Sequence, residues 1–273
     1  MTLIDTPGFD DTSRLEGEIL NLIAAFLRNS YNRNELLSGA IYLHRITDNK
    51  VGMASRRTMT VLQRICGADN FQNIVLVTTM WDELVDQKVG EDRERELETG
   101  SHFWAQMISR KAKIFRHDGK EETAVGIVKQ IILKPPVPLV MQVELSSERA
   151  SVAGTTAGRF ITEYLLQQRK LIEENADSII SHSEEATTDL QEITERIDED
   201  ISYMQVPVED LLAQAREAET ESEDGGATQD GGATVGDGAT EDTSDRPPPR
   251  RSFLQKLFDM VRWMDRRETQ PRL

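Results

Sequence analysis

The chain has 273 residues, a formal net charge of -16 and a hydrophobic share of 38%, which allows one medium domain with appendages or two small ones. The acidity argues against general nucleic-acid binding. A single cysteine, Cys66, excludes an intrachain disulfide framework and suits a reducing, cytoplasmic compartment. The sequence shows neither a basic-then-apolar leader nor a run of about 18 apolar residues that could span a bilayer.

From residue 1 to about 145, strand-like and helix-like patterns alternate. Strands are expected at Thr2–Asp5, Gly39–His44, Asn73–Thr79 and Lys113–Phe115. Helices are expected at Thr12–Asn29, Ser55–Cys66, Asp82–Glu98 and Glu121–Leu133. Short Val/Ile/Leu-rich strands separated by helices predict an α/β domain with a parallel sheet. The run Ile74-Val75-Leu76-Val77 is the clearest buried strand. Lys134-Pro135-Pro136 stops the last helix, because proline cannot continue it. Pro138–Leu145 reads as a further strand or a connector. Cys66 reads as a small apolar residue near a helix end.

Residues 150–219 form the next zone, and 155–205 predict one long helix. Ile161, Leu165, Gln168, Ile172, Ala176, Ile179, Ser183, Ala186, Leu190, Ile193, Ile197, Ile201 and Met204 recur in steps of three and four. That is the period of a coiled-coil seam. The seam is weak around Ser183 and Ala186, and Pro207 ends it. Two packings satisfy it equally: a hairpin folded onto the first domain, or a coiled coil that makes the chain a homo-oligomer.

Residues 220–250 are of low complexity. Asp-Gly-Gly-Ala-Thr occurs at 224–228 and 230–234, and 217–245 hold ten acidic residues with no Lys or Arg. Such a stretch buries too little apolar surface to offset its ordering entropy and predicts a disordered linker. Residues 251–268 reverse the sign. Phe253, Leu254, Leu257, Phe258, Val261 and Met264 share one helical face, flanked by Arg250, Arg251, Lys256, Arg262, Arg266 and Arg267. A basic amphipathic helix of this kind suits an anionic membrane surface or a groove on a partner protein. It could equally fold back on the acidic linker.

Two short motifs carry chemistry. Asp5-Thr6-Pro7-Gly8 follows an apolar tetrapeptide and precedes Phe9-Asp10-Asp11-Thr12. Thr79-Met80-Trp81-Asp82 follows the buried strand. A carboxylate placed like that of Asp82 can accept hydrogen bonds from N1 and the exocyclic N2 of guanine, and adenine offers neither donor. Asp10 and Asp11 read as caps for the helix beginning at Thr12. None of His44, His102, His117 and His182 has a metal-ligand spacing or forms a triad with Cys66. His44 reads as ending a strand.

In combined order, Leu3–Asp11, Ile41–Asp48 and Val75–Asp82 resemble the fungal G-domain proteins of the septin-like class of P-loop GTPases, related to the AIG1 type. Gln142–Leu145 and Thr155–Gly158 fit as well, so the resemblance covers about residues 1–170. It implies a truncated three-layer P-loop GTPase-like domain over 1–145 with a helical, coiled-coil-like extension. It implies GTP or GDP with magnesium as ligand, bound by Asp5, Gly8, Thr79 and Asp82. Asp5 would reach the magnesium through water, and the Gly8 N–H would point at the terminal phosphate. Arg116-His117-Asp118 is the candidate for the fifth motif, which cradles the base.

Three departures stand out. Met80 replaces the usual Lys, and Phe9 replaces the glutamine that orients water in Ras-like enzymes. No Gly-x-x-x-x-Gly-Lys-[Ser/Thr] phosphate loop occurs in the chain. The strand feeding that loop would lie between Thr2–Asp5 and Gly39–His44. Three outcomes follow: those two strands pair directly, the chain is unstable alone, or the native protein begins further upstream. The sequence thus predicts a GTP-binding protein of weak affinity without detectable hydrolysis. The alternative is a non-enzymatic coiled-coil scaffold at a membrane surface or on a partner protein.

Overall fold

The computed structural model describes residues 2–9, 15–48, 52–101, 103–180 and 184–215. The chain divides into two units, 1–208 and 209–273. Of the second, 209–215 are described and are helical. The expected acidic linker at 220–250, the expected basic helix at 251–268, the caps Asp10 and Asp11, and His102 and His182 lie outside the described residues.

In chain order the first unit runs α1 (Glu16–Asn32), β1 (Ala40–Arg45), α2 (Met53–Cys66), β2 (Ile74–Thr79), α3 (Gln87–Thr99), α4 (Ala105–Ser109), β3 (Lys113–Arg116), α5 (Glu121–Ile132), α6 (Val140–Glu144), α7 (Thr156–Ile180) and α8 (Glu184–Gln205). The three strands form a parallel sheet in the order β1-β2-β3. Parallel neighbours need crossover connections. Helix α2 supplies the first, and α3 with α4 the second. Ala40 pairs with Ile74, and Val75 with Lys113.

Strand β2 is buried along its length except at Thr79. On one face Val75 and Val77 pack with Ile127 and Ile131 of α5, joined by Ile41 and Phe115. On the other, Trp104 stands edge-on to Tyr42 and His44 of β1. A Val/Ile/Leu strand without alternation is what burial on both faces selects. Helix α2 ends at Cys66, which is buried, and burial pushes its thiol up to about 12. The following Gly67 takes φ 81, a positive angle that glycine adopts without the strain a Cβ would bring.

The segment Thr2–Asp5 is not a strand. Residues 2–8 are irregular, and Leu3 and Ile4 are exposed. Among the described residues no strand pairs with the outer edge of β1, so the expected direct pairing does not form. The physical reason is that a four-residue segment with two apolar side chains gains strand conformation only from a ladder and a covered face. Pro138–Leu145 is a connector holding the short helix α6, whose Gln142 bonds the Leu139 N–H and the Ser30 hydroxyl.

The single long helix expected over 155–205 is also replaced. Helices α7 and α8 fold against each other, with Arg169 Nη1 2.8 Å from Asp198 Oδ1. Helix α7 ends at Ile180 and α8 begins at Glu184, on either side of the weak stretch of the apolar seam. Thr155 and Glu144 cap α7: Gly158 N–H donates to Thr155 Oγ1 at 3.0 Å, and Thr156 N–H to Glu144 at 3.0 Å.

Two polar contacts tie this hairpin to α1, and in one of them Asn21 Nδ2 donates to Tyr203 O at 2.7 Å. The Asp200 carboxylate of α8 accepts the N–H groups of Gly17 at 2.5 Å and Glu16 at 3.1 Å. These are orphan donors of the first turn of α1. Gly17 is required there, because a Cβ would lie 2.3 Å from Asp200 Oδ1 and 2.8 Å from its carbonyl oxygen. Gly17→Ala is expected to lower the unfolding free energy by roughly 1–3 kcal/mol, read from urea denaturation. An unchanged midpoint would mean that α1 and α8 separate freely.

Burial raises the Asp200 pKa to about 6 from 3.8, against the lowering by the Gly17 and Glu16 N–H bonds, and Glu16 and Glu18 add repulsion. The folded chain therefore holds this proton more tightly than the unfolded chain. The resulting stabilisation is complete below pH 3.8 and is lost as pH rises through about 6. Asp200→Asn is expected to flatten the fall of the thermal midpoint across that window. A slope identical to that of the native chain would assign it to other groups.

Candidate functional site

The carboxyl ends of the three strands lie side by side. The ladder continues past the strands: Ile46 N–H donates to Thr79 O at 3.0 Å, and His117 N–H donates to Thr78 O at 2.8 Å. This brings Arg45–Asp48, Thr79–Asp82 and Arg116–Asp118 to one edge. In open parallel sheets, ligands bind at this edge.

At the centre, Met80 adopts φ 61, and the chain turns into a short 3-10 helix over Trp81–Glu83. A charged network fixes this turn. Trp81 Nε1 donates to Thr78 Oγ1 at 2.9 Å, and Thr78 Oγ1 donates to Glu94 Oε1 at 3.1 Å. Arg116 Nε donates to Glu94 Oε2 at 2.8 Å, and its Nη2 bonds the same oxygen. The Arg116 guanidinium also lies 4.0 Å over the Trp81 ring. Glu94 is buried in α3 and would be an uncompensated charge without Arg116. Its hydrogen bond to Glu94 raises the Arg116 pKa further.

The network leaves Asp82 exposed on the turn, one residue beyond the pinned Trp81. Thr79 Oγ1 bonds the His44 carbonyl oxygen at 3.4 Å and so serves the strand ends. The Trp81 ring, buried and stacked on Arg116, is not available to cover a ligand. Met80 is, at 40% exposure. Asp118 is engaged locally, accepting Lys120 N–H at 3.2 Å and the Thr123 hydroxyl. The Thr123 hydroxyl and then the Lys120 N–H hold its carboxyl down to about 2. His117 is different. Its Nδ1 is buried and has no hydrogen-bond partner among the described residues.

No protein-family model, curated protein or solved structure matches the chain.

Thr79 and Asp82 stand together at the sheet edge. Asp5 and Gly8 are exposed in the irregular segment 2–8. Among the described residues no hydrogen bond or ion pair joins them to the strand ends, and no three His, Cys, Asp or Glu side chains cluster as metal ligands. The sequence also gave no hint that Glu94, twelve residues past Asp82, sits beneath the turn.

Arg116→Ala should cost about 1–3 kcal/mol by leaving Glu94 without its cation. Arg116→Lys should recover only part of this, because an ammonium cannot both fork onto the carboxylate and stack on the indole. Urea denaturation of the two variants checks this, and a loss below about 0.5 kcal/mol for the alanine variant would class the pair as an exposed ion pair.

Proposed function

We propose that the carboxyl end of the sheet is a guanine-base site and that the chain is a weak guanine-nucleotide-binding protein with a P-loop GTPase-like architecture. The observation that carries this reading is Asp82. Its carboxylate is exposed on a rigid turn leaving the central strand, at the edge where parallel sheets bind ligands. An ionised carboxylate accepting two N–H groups forms strong charge-assisted bonds, and guanine offers that pair where adenine does not. His117 flanks the site at the neighbouring strand end, where its N–H donates to Thr78 O at 2.8 Å. Met80 supplies an apolar side chain where the resembled class uses the stem of a lysine. Asp5 and Gly8 have no part in the proposed contacts, and no hydrolytic step is assigned.

A second reading draws on the α7–α8 hairpin, which offers a charged outer surface to other molecules. On that reading the chain is a non-enzymatic scaffold, and the expected basic helix at 251–268 is its contact with an anionic membrane or a partner protein. It makes no use of Asp82.

Isothermal titration of the full chain with GDP and, separately, ADP decides the first reading. The expected result is at least tenfold tighter GDP binding, about 1.4 kcal/mol, with the preference abolished in Asp82→Asn. Equal heats for the two nucleotides, or a preference that survives the substitution, would overturn it.

A further inference from the structure

Helix α7 presents one face that its own chain leaves uncovered among the described residues. Its inner positions Ala157, Ile161 and Leu165 are buried, and on the side of α2 Phe160 and Tyr164 carry Arg64 at 4.8 Å and Arg57 at 4.2 Å. The outer face holds Arg159, Glu163, Leu166, Lys170 and Glu173, spaced three, four and seven apart, so they stack along one stripe. Leu166 is 49% exposed at its midpoint. A shallow groove of about 480 Å³ runs along it, lined by Ala153, Arg159, Thr162, Glu163, Leu166 and Lys170.

The charges on this stripe are ordered. Reading outward from Leu166, Glu163 and Lys170 stand three and four residues away on opposite sides, and Arg159 and Glu173 each stand seven away. If the stripe is laid antiparallel on a copy of itself about Leu166, every acidic group meets a basic one. Glu163 falls opposite Lys170 of the second copy, and Arg159 falls opposite Glu173. Each pair occurs twice by symmetry, and the two Leu166 side chains meet at the axis. At 1.5 Å per residue the outermost pairs lie about 10 Å from that axis. Helices packed at about 20° stay in register over this length. Among the described residues Glu163 has no ion-pair partner in its own chain. Lys170 reaches Glu174 at 3.6 Å, a contact left largely in water.

We propose that this face of α7 is an isologous dimer surface and that its occupant is a second copy of the same chain. A C2 interface must be self-complementary, and the stripe meets that condition in both charge and apolar centre. The proposal deepens the scaffold reading by naming the partner, and it is independent of the guanine site at the far edge of the sheet.

Sedimentation of the full chain tests it, with circular dichroism confirming that each variant is folded. The native chain is expected to sediment at twice its 30.9 kDa mass. Glu163→Lys and Lys170→Glu, each alone, oppose like charges and should weaken dimerisation at least tenfold. Mixing the two variants restores both pairs across a heterodimer and should restore the dimer. A native chain that is monomeric throughout would overturn the proposal together with self-association itself. A dimer indifferent to both substitutions, or one that mixing fails to restore, would overturn this face while leaving the scaffold reading standing.

Discussion

Parallel strands cannot be joined by tight turns, and their sheet must be covered on both faces. That constraint organises this chain. Three strands demand at least two crossovers, and these supply α2, α3 and α4. The face left over takes α5, through Ile127 and Ile131 on Val75 and Val77. Because all three strands run the same way, their carboxyl ends share one edge, where the chain leaves β2 and β3 in loops that need not be apolar. The exposed Asp82 and the half-buried His117 are consequences of that polarity as much as of their own residue types.

The second joint is polar. Asp200 closes the first turn of α1 across most of the length of the sequence. A buried carboxylate is costly unless it is hydrogen-bonded. Here the two N–H groups of a helix start offset the cost only in part, and the Asp200 pKa stays raised. The contact sets α8 against α1 closely enough that position 17 admits only glycine. It therefore helps to fix where α8 lies against α1 within the first unit.

Much of the sheet was legible in the sequence. Gly39–His44, Asn73–Thr79 and Lys113–Phe115 correspond within a residue to β1, β2 and β3, and Glu121–Leu133 to α5, because apolar runs and proline breaks are local signals. What failed was non-local. Thr2–Asp5 has the composition of a strand but no neighbour to pair with. Helix α1 begins at Glu16, and its N-terminal donors are met by Asp200, which no local pattern around Thr12 could announce. The seam over 155–205 spans two helices instead of one: α7 ends at Ile180 and α8 begins at Glu184, while Ile193 of the seam is exposed. At the site, Asp82 was placed by its position after a buried strand. The Glu94–Arg116–Trp81 assembly beneath it was not, because it joins three separate segments.

The proposed function places a guanine base at the edge formed by Thr79–Asp82 and Arg116–Asp118. Hydrogen-exchange mass spectrometry of the full chain with and without saturating GDP tests this most directly. Backbone amides at 79–83 and 116–119 are expected to gain protection, with ADP at the same concentration leaving them unchanged. Protection by GDP elsewhere while these two segments exchange as before would contradict the account, and so would equal protection by both nucleotides.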